Sequence, residues 1–135
     1  VEVMADLARK IHLSPPAVYQ RIKRLERAGM IRQYVALIDR EHAGYDLLCF
    51  IRLSLQPHNR EQLERFQAQA KQMPAVLECY HTAGSFDVLL KVVVADHRAL
   101  DALIKDWLMT LEGVEKIETS AVLSELKATT ALVLE

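Results

Sequence analysis

The stretch from residue 13 to residue 38 most constrains the fold, because it combines a capped helix, a helix stop and a β-rich segment. Ser14 is predicted to be the helix N-cap, and Pro15 follows at the first helical position, where its missing N–H costs nothing. Gly29 occupies the usual left-handed position that ends a helix. The apolar positions recur at helical spacing and predict the buried side: Val18, Ile22 and Leu25.

The opposite side of this helix carries one amide and four cationic side chains: Gln20, Arg21, Lys23, Arg24 and Arg27. Residues 30–38 are rich in β-formers and predict the two short strands of a wing. A row of cations on one helix face is more often just a solvated surface, so the neighbouring sequence has to decide its meaning.

Residues 2–11 predict a second short amphipathic helix before the basic one. Its apolar positions also recur at helical spacing: Val3, Met4, Leu7, Ala8 and Ile11. Only residues 12–14 separate the two helices. Two helices joined by so short a turn, with a basic second helix, are typical of the helix-turn-helix that places a recognition helix in the major groove. This context favours nucleic-acid binding over a solvated surface.

The charge of the chain is divided along its length. Residues 1–40 hold eight Lys and Arg against four Asp and Glu, a net charge of +4, whereas residues 41–135 hold nine against fourteen, a net charge of −5. Only the first third has the sign that binds phosphate.

The N-terminal third resembles the DNA-binding half of the Lrp/AsnC, or feast/famine, family of transcriptional regulators. The family signature is matched by Leu13, Ser14, Pro15, Arg21, Arg24, Leu25, Glu26, Gly29 and Ile31. The chain begins at Val1 without the helix that precedes Glu2 in a three-helix DNA-binding domain, so we expect a winged helix-turn-helix that is incomplete at its N-terminus. The candidate DNA-binding residues are Ser14, Pro16, Ala17, Tyr19, Gln20, Arg21, Lys23, Arg24 and Arg27. Among them, Gln20 is the favoured base reader, with Tyr19 beside it, and the cations contact phosphates or base edges.

The polar segment 39–46, which contains Gly44, predicts a linker between a DNA-binding domain at 1–38 and a second domain at 47–135. In the second domain, strands are predicted at 47–56, 76–83, 87–95 and 114–126. Two helices separate them, one capped by residues 57–59 and the other by Asp96. The order β-α-β-β-α-β predicts an α+β, ferredoxin-like fold in which both helices cover one face of a four-stranded antiparallel sheet.

The other face of that sheet is expected to carry few charges and several apolar side chains: Phe50, Tyr80, Leu89 and Val93 or their neighbours. An uncovered apolar face usually marks a partner surface. We therefore predict a homodimer that closes sheet against sheet, with its two recognition helices related by a twofold axis. The family resemblance implies the same pairing and a further assembly of dimers into tetramers or octamers.

The loop at residues 83–87 admits two interpretations. By its residue types it is an ordinary hairpin turn. It also resembles the Gly-x-Tyr/Phe-Asp loop of the Lrp/AsnC family, which implies that Gly84, Ser85, Phe86 and Asp87 line a pocket for a small amino-acid effector, with Thr119 and Ser120 as further candidates. Glycine lets a backbone approach a ligand, and Asp87 could pair with an α-ammonium group.

Catalysis and metal binding are not favoured by this sequence. Although His81, Ser85 and Asp87 are close together, a hairpin does not readily place a base between a nucleophile and a carboxylate. No phosphate-binding glycine motif, metal-spaced His/Cys cluster or cofactor motif is present, and the five histidines are isolated in sequence and expected at the surface or in turns. Cys49 and Cys79 are expected to be buried free thiols.

The sequence therefore predicts a cytoplasmic DNA-binding regulator that responds to a small amino acid. Neither a secretory signal nor an apolar run long enough to cross a membrane is present in it. The alternative is a stand-alone amino-acid sensor or oligomerisation module with little DNA binding, against which the intact basic helix face argues.

Overall fold

The computed structural model describes residues 2–133, and these residues form two compact units that divide between positions 37 and 38. The first unit contains helices α1 (Glu2–Lys10) and α2 (Pro15–Arg27). The turn between them is tight: the backbone N–H of Leu13 donates to the Ala8 carbonyl at 3.0 Å, and His12 adopts a positive φ of 57°. Ala8 of α1 and Val18 of α2 are buried. The side chains of Val3, Met4 and Leu7, predicted for the same apolar side, lie outside what the structure describes.

The predicted pair of wing strands at residues 30–38 is wrong. The chain leaves α2 through Gly29, whose φ is +77°, and the N–H groups of Met30 and Ile31 both donate to the Leu25 carbonyl. Beyond that point the described chain has no strand before residue 47. β-Formers supply suitable side chains, but a strand forms only where a neighbouring strand takes up its hydrogen bonds.

The second unit has the predicted β-α-β-β-α-β order. Its elements are β1 (Leu47–Leu55), α3 (Arg60–Lys71), β2 (Val76–His81), β3 (Val88–Val94), α4 (His97–Asp106), a 3₁₀ turn (Leu108–Thr110) and β4 (Val114–Ala121). The four strands form one sheet in the order β2-β3-β1-β4, and every neighbouring pair is antiparallel. The ferredoxin-like, α+β fold is therefore confirmed.

Strand β4 ends at Ala121, five positions short of its predicted end. Ala121 pairs with Cys49, and the N–H of Val122 still donates to the Leu48 carbonyl at 2.9 Å. Because β1 begins at Leu47, the following residues have no further partner on that strand.

Both helices of the second unit begin at the predicted caps and cover the same face of the sheet. The side chain of Asn59 accepts from the N–H of Gln62, and that of Asp96 accepts from the N–H of Ala99, each at 2.8 Å. The core between helices and sheet includes Phe66 and Trp107, whose ring centroids are 6.1 Å apart.

Residues 39–46, expected as an interdomain linker, form a compact turn within the second unit. The N–H of Tyr45 donates to the Arg40 carbonyl at 2.9 Å, and Arg40 Nη1 returns a hydrogen bond to the Tyr45 carbonyl at 2.8 Å. The Arg40 guanidinium also lies 3.5 Å from the Glu125 carboxylate. This turn is thereby tied to the segment that follows β4.

The open face of the sheet has the predicted apolar residues but more charge than expected. The cross-strand register places Phe50, Leu89, Tyr80 and Val93 on it. It also carries two ion pairs, Arg52 with Glu118 at 3.9 Å and Lys91 with Glu78 at 3.6 Å. The expectation of an almost uncharged face is therefore wrong. Side chains alternate between the two faces of a strand, so the charged residues that lie between core positions point to the open face. The sequence alone did not show on which face these charged residues lie.

Candidate functional site

Helix α2 presents the features of a recognition helix. Ser14 caps it, since its hydroxyl oxygen accepts from the N–H of Ala17 at 3.3 Å, and prolines occupy its first turn. Val18 packs inward, and the candidate contact residues on the other side are exposed: Tyr19, Gln20, Arg21, Arg24 and Arg27. The cap fixes where the helix begins, and therefore fixes which side chains project away from the unit.

Lys23 differs from the other cations of this helix. Its ammonium group lies 5.4 Å from the centre of the Tyr19 ring and 3.9 Å from the Glu26 carboxylate. Glu26 also accepts a hydrogen bond from the Tyr34 hydroxyl at 3.0 Å. The ammonium group of Lys23 therefore already has partners within its own unit. The main exposed cations of the helix are its three arginines, Arg21, Arg24 and Arg27.

The second candidate site surrounds the loop at residues 83–87. Gly84 has a φ of +125°, a conformation that side chains rarely adopt, so glycine is required there. Asp87 is fixed by three hydrogen bonds: its N–H donates to the Leu53 carbonyl, its carbonyl accepts from Thr82, and its carboxylate oxygen Oδ2 accepts from the N–H of Leu55 at 2.7 Å. The other carboxylate oxygen, Oδ1, lies 2.6 Å from Nδ1 of His58.

A cavity of about 360 Å³, lined in part by Asp87, lies between the start of α3 and the ends of β1 and β2. This volume falls within the range of roughly 300–1,000 Å³ that is usual for small-molecule pockets. We name it the Asp87 cavity, and it brings together Leu55, His58, Arg60, Leu63, His81 and Asp87. It therefore offers a carboxylate, a guanidinium, two imidazoles and an apolar wall.

A second depression, of about 410 Å³, lies on the other side of the loop. It is lined by Arg52, Ser85, Phe86, Leu89 and Glu118. Arg52 Nη1 also donates to the Ser120 hydroxyl at 3.4 Å, which places Ser120 beside this depression. Thr119 pairs with the core residue Ile51 and therefore faces the helices.

The structure thus separates the six residues predicted to bind an effector. Asp87 lines one cavity, Ser85 and Phe86 line the other, and Thr119 and Ser120 point to opposite faces of the sheet. His58, Arg60 and His81 were missed because they are far apart in sequence and meet only in the fold. One signal in the sequence could have indicated this site. His58 and Arg60 stand on either side of the residue that caps α3, and the start of that helix lies beside the ends of the strands.

No group of three His, Cys, Asp or Glu side chains suited to a metal ion occurs among the residues described. Within the same part of the chain, none of the helices has the length and apolar character needed to cross a membrane.

The first unit is a helix-turn-helix with an exposed cationic helix, and the second is a ferredoxin-like unit with a cavity lined by both apolar and charged side chains. Together they define a DNA-binding regulator with a ligand module. Comparison with known families agrees: residues 4–32 match a winged helix-turn-helix DNA-binding family, and residues 48–132 match the Lrp/AsnC ligand binding domain. The chain belongs to the Lrp/AsnC family of transcriptional regulators.

Individual relatives are similar over nearly the whole chain. The leucine-responsive regulatory protein of Salmonella typhimurium is 33% identical over 130 residues, which are 96% of this chain and 79% of that protein. The transcriptional regulator AzlB of Bacillus subtilis is 34% identical over 127 residues, 94% of this chain and 81% of AzlB. Among solved structures, a transcriptional regulator from Neisseria meningitidis in complex with L-methionine superposes with a TM-score of 0.88 at 35% identity, covering 96% of this chain and 84% of that one. These relatives are regulators of transcription, a family without enzymatic activity.

Proposed function

We propose that this regulator binds double-stranded DNA through the exposed side of α2 and that a small amino acid bound in its second unit controls that binding. The observation that carries the DNA part is the capped, arginine-bearing helix placed directly after a tight turn. Arg21, Arg24 and Arg27 contact phosphates or guanine edges, and Gln20 reads a base with Tyr19 beside it. Ser14, Pro16 and Ala17 mark the helix N-terminus, which approaches the DNA backbone.

The DNA interface is tested by removing one exposed arginine. Replacement of Arg24 by alanine is expected to weaken DNA binding and to reduce the slope of log affinity against log salt by about one unit, because one phosphate contact is lost. The slope is measured by fluorescence anisotropy over a series of salt concentrations. Arg98→Ala, which removes an exposed arginine from α4 in the other unit, is the matched control and should leave the slope unchanged. An unchanged slope for Arg24→Ala would exclude the phosphate contact.

The amino-acid part is supported by the contents of the Asp87 cavity. A free amino acid carries an ammonium and a carboxylate group two bonds apart, and the cavity offers Asp87 for the first and Arg60 for the second. Leu55 and Leu63 give an apolar wall to its side chain. The Neisseria meningitidis relative was crystallised with L-methionine, so methionine is the first ligand to test here. Gly84 shapes the loop, while Ser85, Phe86 and Ser120 border the neighbouring depression and Thr119 supports the strand behind it.

We further propose that two copies pair through the open faces of their sheets and that such dimers assemble into tetramers or octamers. On this face apolar side chains alternate with two ion pairs, and an interface likewise combines apolar area with a small number of polar contacts. A twofold axis presents two recognition helices to half-sites about one helical turn apart. Amino-acid binding then changes which assembly is favoured, and so which operators are occupied. We also propose that it acts in the cytoplasm, where the DNA of bacteria such as Salmonella typhimurium and Bacillus subtilis lies.

A further inference from the structure

The contact between His58 and Asp87 occupies the position that an ammonium group would need. Asp87 is only 15% exposed and is held in place by the Leu55 N–H, so its Oδ1 atom is the part that remains directed at the cavity. The Nδ1 atom of His58 lies 2.6 Å from that oxygen. At this distance the imidazole is a direct hydrogen-bonding partner of the carboxylate oxygen.

The His58 side chain can move away from this contact, whereas the Asp87 side chain cannot. The His58 side chain is 69% exposed and belongs to the short connection between β1 and α3, so it can turn into water without disturbing the core. Asp87 cannot follow, because both its backbone and its second carboxylate oxygen are already bound to β1. A displaced histidine therefore leaves a fixed, desolvated carboxylate open to a ligand.

We propose that His58 is a built-in competitor of the effector: its imidazole occupies Asp87 in the empty regulator, and the α-ammonium group of an amino acid must displace it. This inference rests on the proposed amino-acid binding in the Asp87 cavity. The ligand can bind only those molecules in which His58 is turned away. Its apparent affinity is therefore its intrinsic affinity multiplied by the fraction of such molecules. His58 is thus a residue that sets the concentration at which the regulator responds.

The test is calorimetric titration of L-methionine into the full chain, its His58→Ala variant and a control. Alanine at position 58 is expected to tighten binding by about two- to fivefold, since a polar contact made by a largely exposed side chain is modest in strength. The control is His97→Ala, which removes an exposed histidine at the start of α4, outside the cavity lining, and should leave binding unchanged. Asp87→Asn keeps an acceptor for the Leu55 N–H but removes the charge, so adding His58→Ala to it should give no further gain.

The possible outcomes distinguish the inference from the function it rests on. If the wild type binds methionine and His58→Ala binds it equally or more weakly, His58 is not a competitor, although the effector proposal stands. If neither protein binds any standard amino acid, the effector proposal itself fails and the competitor role fails with it.

Discussion

The two thiols of the chain differ in their access to water. Cys49 is completely buried in β1, whereas Cys79 is exposed on the edge strand β2, so the expectation that both are buried is wrong for Cys79. Desolvation raises the pKa of both thiols. For Cys79 the cause is its apolar surroundings, which include Leu63 and Phe66 of α3.

We therefore expect a thiol reagent to modify Cys79 alone in the folded protein, and slowly at neutral pH because the raised pKa leaves little thiolate. The rate should increase as pH rises, and Cys49 should react only after denaturation. The measurement is the stoichiometry and rate of reaction with a chromogenic disulfide. Cys79→Ser removes the native reaction and serves as the control. Two thiols that react at similar rates in the folded protein would contradict the assignment.

At the scale of single residues, the sequence predicts best what depends on near neighbours. Ser14 and Asp96 are predicted as caps from sequence, and the cap of α3 is predicted within residues 57–59, because a cap accepts from an N–H three positions away. The partners of Asp87 could not be identified in this way. Leu55 is 32 positions away from it, and His58 reaches it only through the geometry of the loop after β1.

At the scale of secondary structure, Gln62 joins the start of α3 to the turn before β4. It is 5% exposed, and its Nε2 atom donates to the Glu112 carbonyl at 2.7 Å. Gly113, next in the chain, has a φ of +93°, and a Cβ atom built there would lie 1.9 Å from the same Nε2 atom. Gly113 is therefore required both for its backbone conformation and for the space that Gln62 fills.

Gly113→Ala is expected to lower the free energy of unfolding by more than the roughly 1–2 kcal/mol that a left-handed conformation alone costs a non-glycine residue. Gly44→Ala is a matched control, because Gly44 has the same φ of +93° but nothing within 4 Å of the added atom. The difference between the two variants, measured by urea denaturation, isolates the collision with Gln62. Equal losses would show that Gln62 moves aside without cost.

Elements could be predicted from periodicity, whereas their pairing could not. The strands of the sheet and both of its helices follow the apolar spacing of the sequence, and the register then decided which residues face the helices. The segment 30–38 shows the limit of this approach. Its residues have the β propensity of a wing, but within the described chain no neighbouring strand accepts its hydrogen bonds.

At the scale of the whole molecule, the uneven distribution of charge along the chain predicted which part is the DNA-binding unit and which part is the ligand module. The net positive charge of residues 1–40 is concentrated on a helix-turn-helix unit, and the net negative remainder forms the ligand module. The open sheet face could be anticipated in outline but not in detail. Leu48 and Val93, at one end of this face, are buried, so the accessible apolar part is centred on Phe50, Leu89 and Tyr80.

The proposed sheet-to-sheet dimer can be tested at Phe50. Glutamate at this position would lie opposite Lys91 on β3, so the single subunit tolerates the charge through a cross-strand pair. In the dimer, twofold symmetry brings the charge into the interface twice. We therefore expect Phe50→Glu to weaken dimerisation by about 100-fold or more without unfolding the subunit.

The measurement is sedimentation velocity at micromolar concentration, with circular dichroism to verify folding. Gln69→Glu introduces the same charge on the exposed side of α3 and should sediment as the wild type does. Loss of the dimer in Phe50→Glu should also weaken binding to an operator with two half-sites far more than binding to a single half-site, because only the dimer holds both recognition helices. A dimer unaffected by the charge at position 50 would show that the subunits pair through another surface. A monomeric wild type would show that they do not pair.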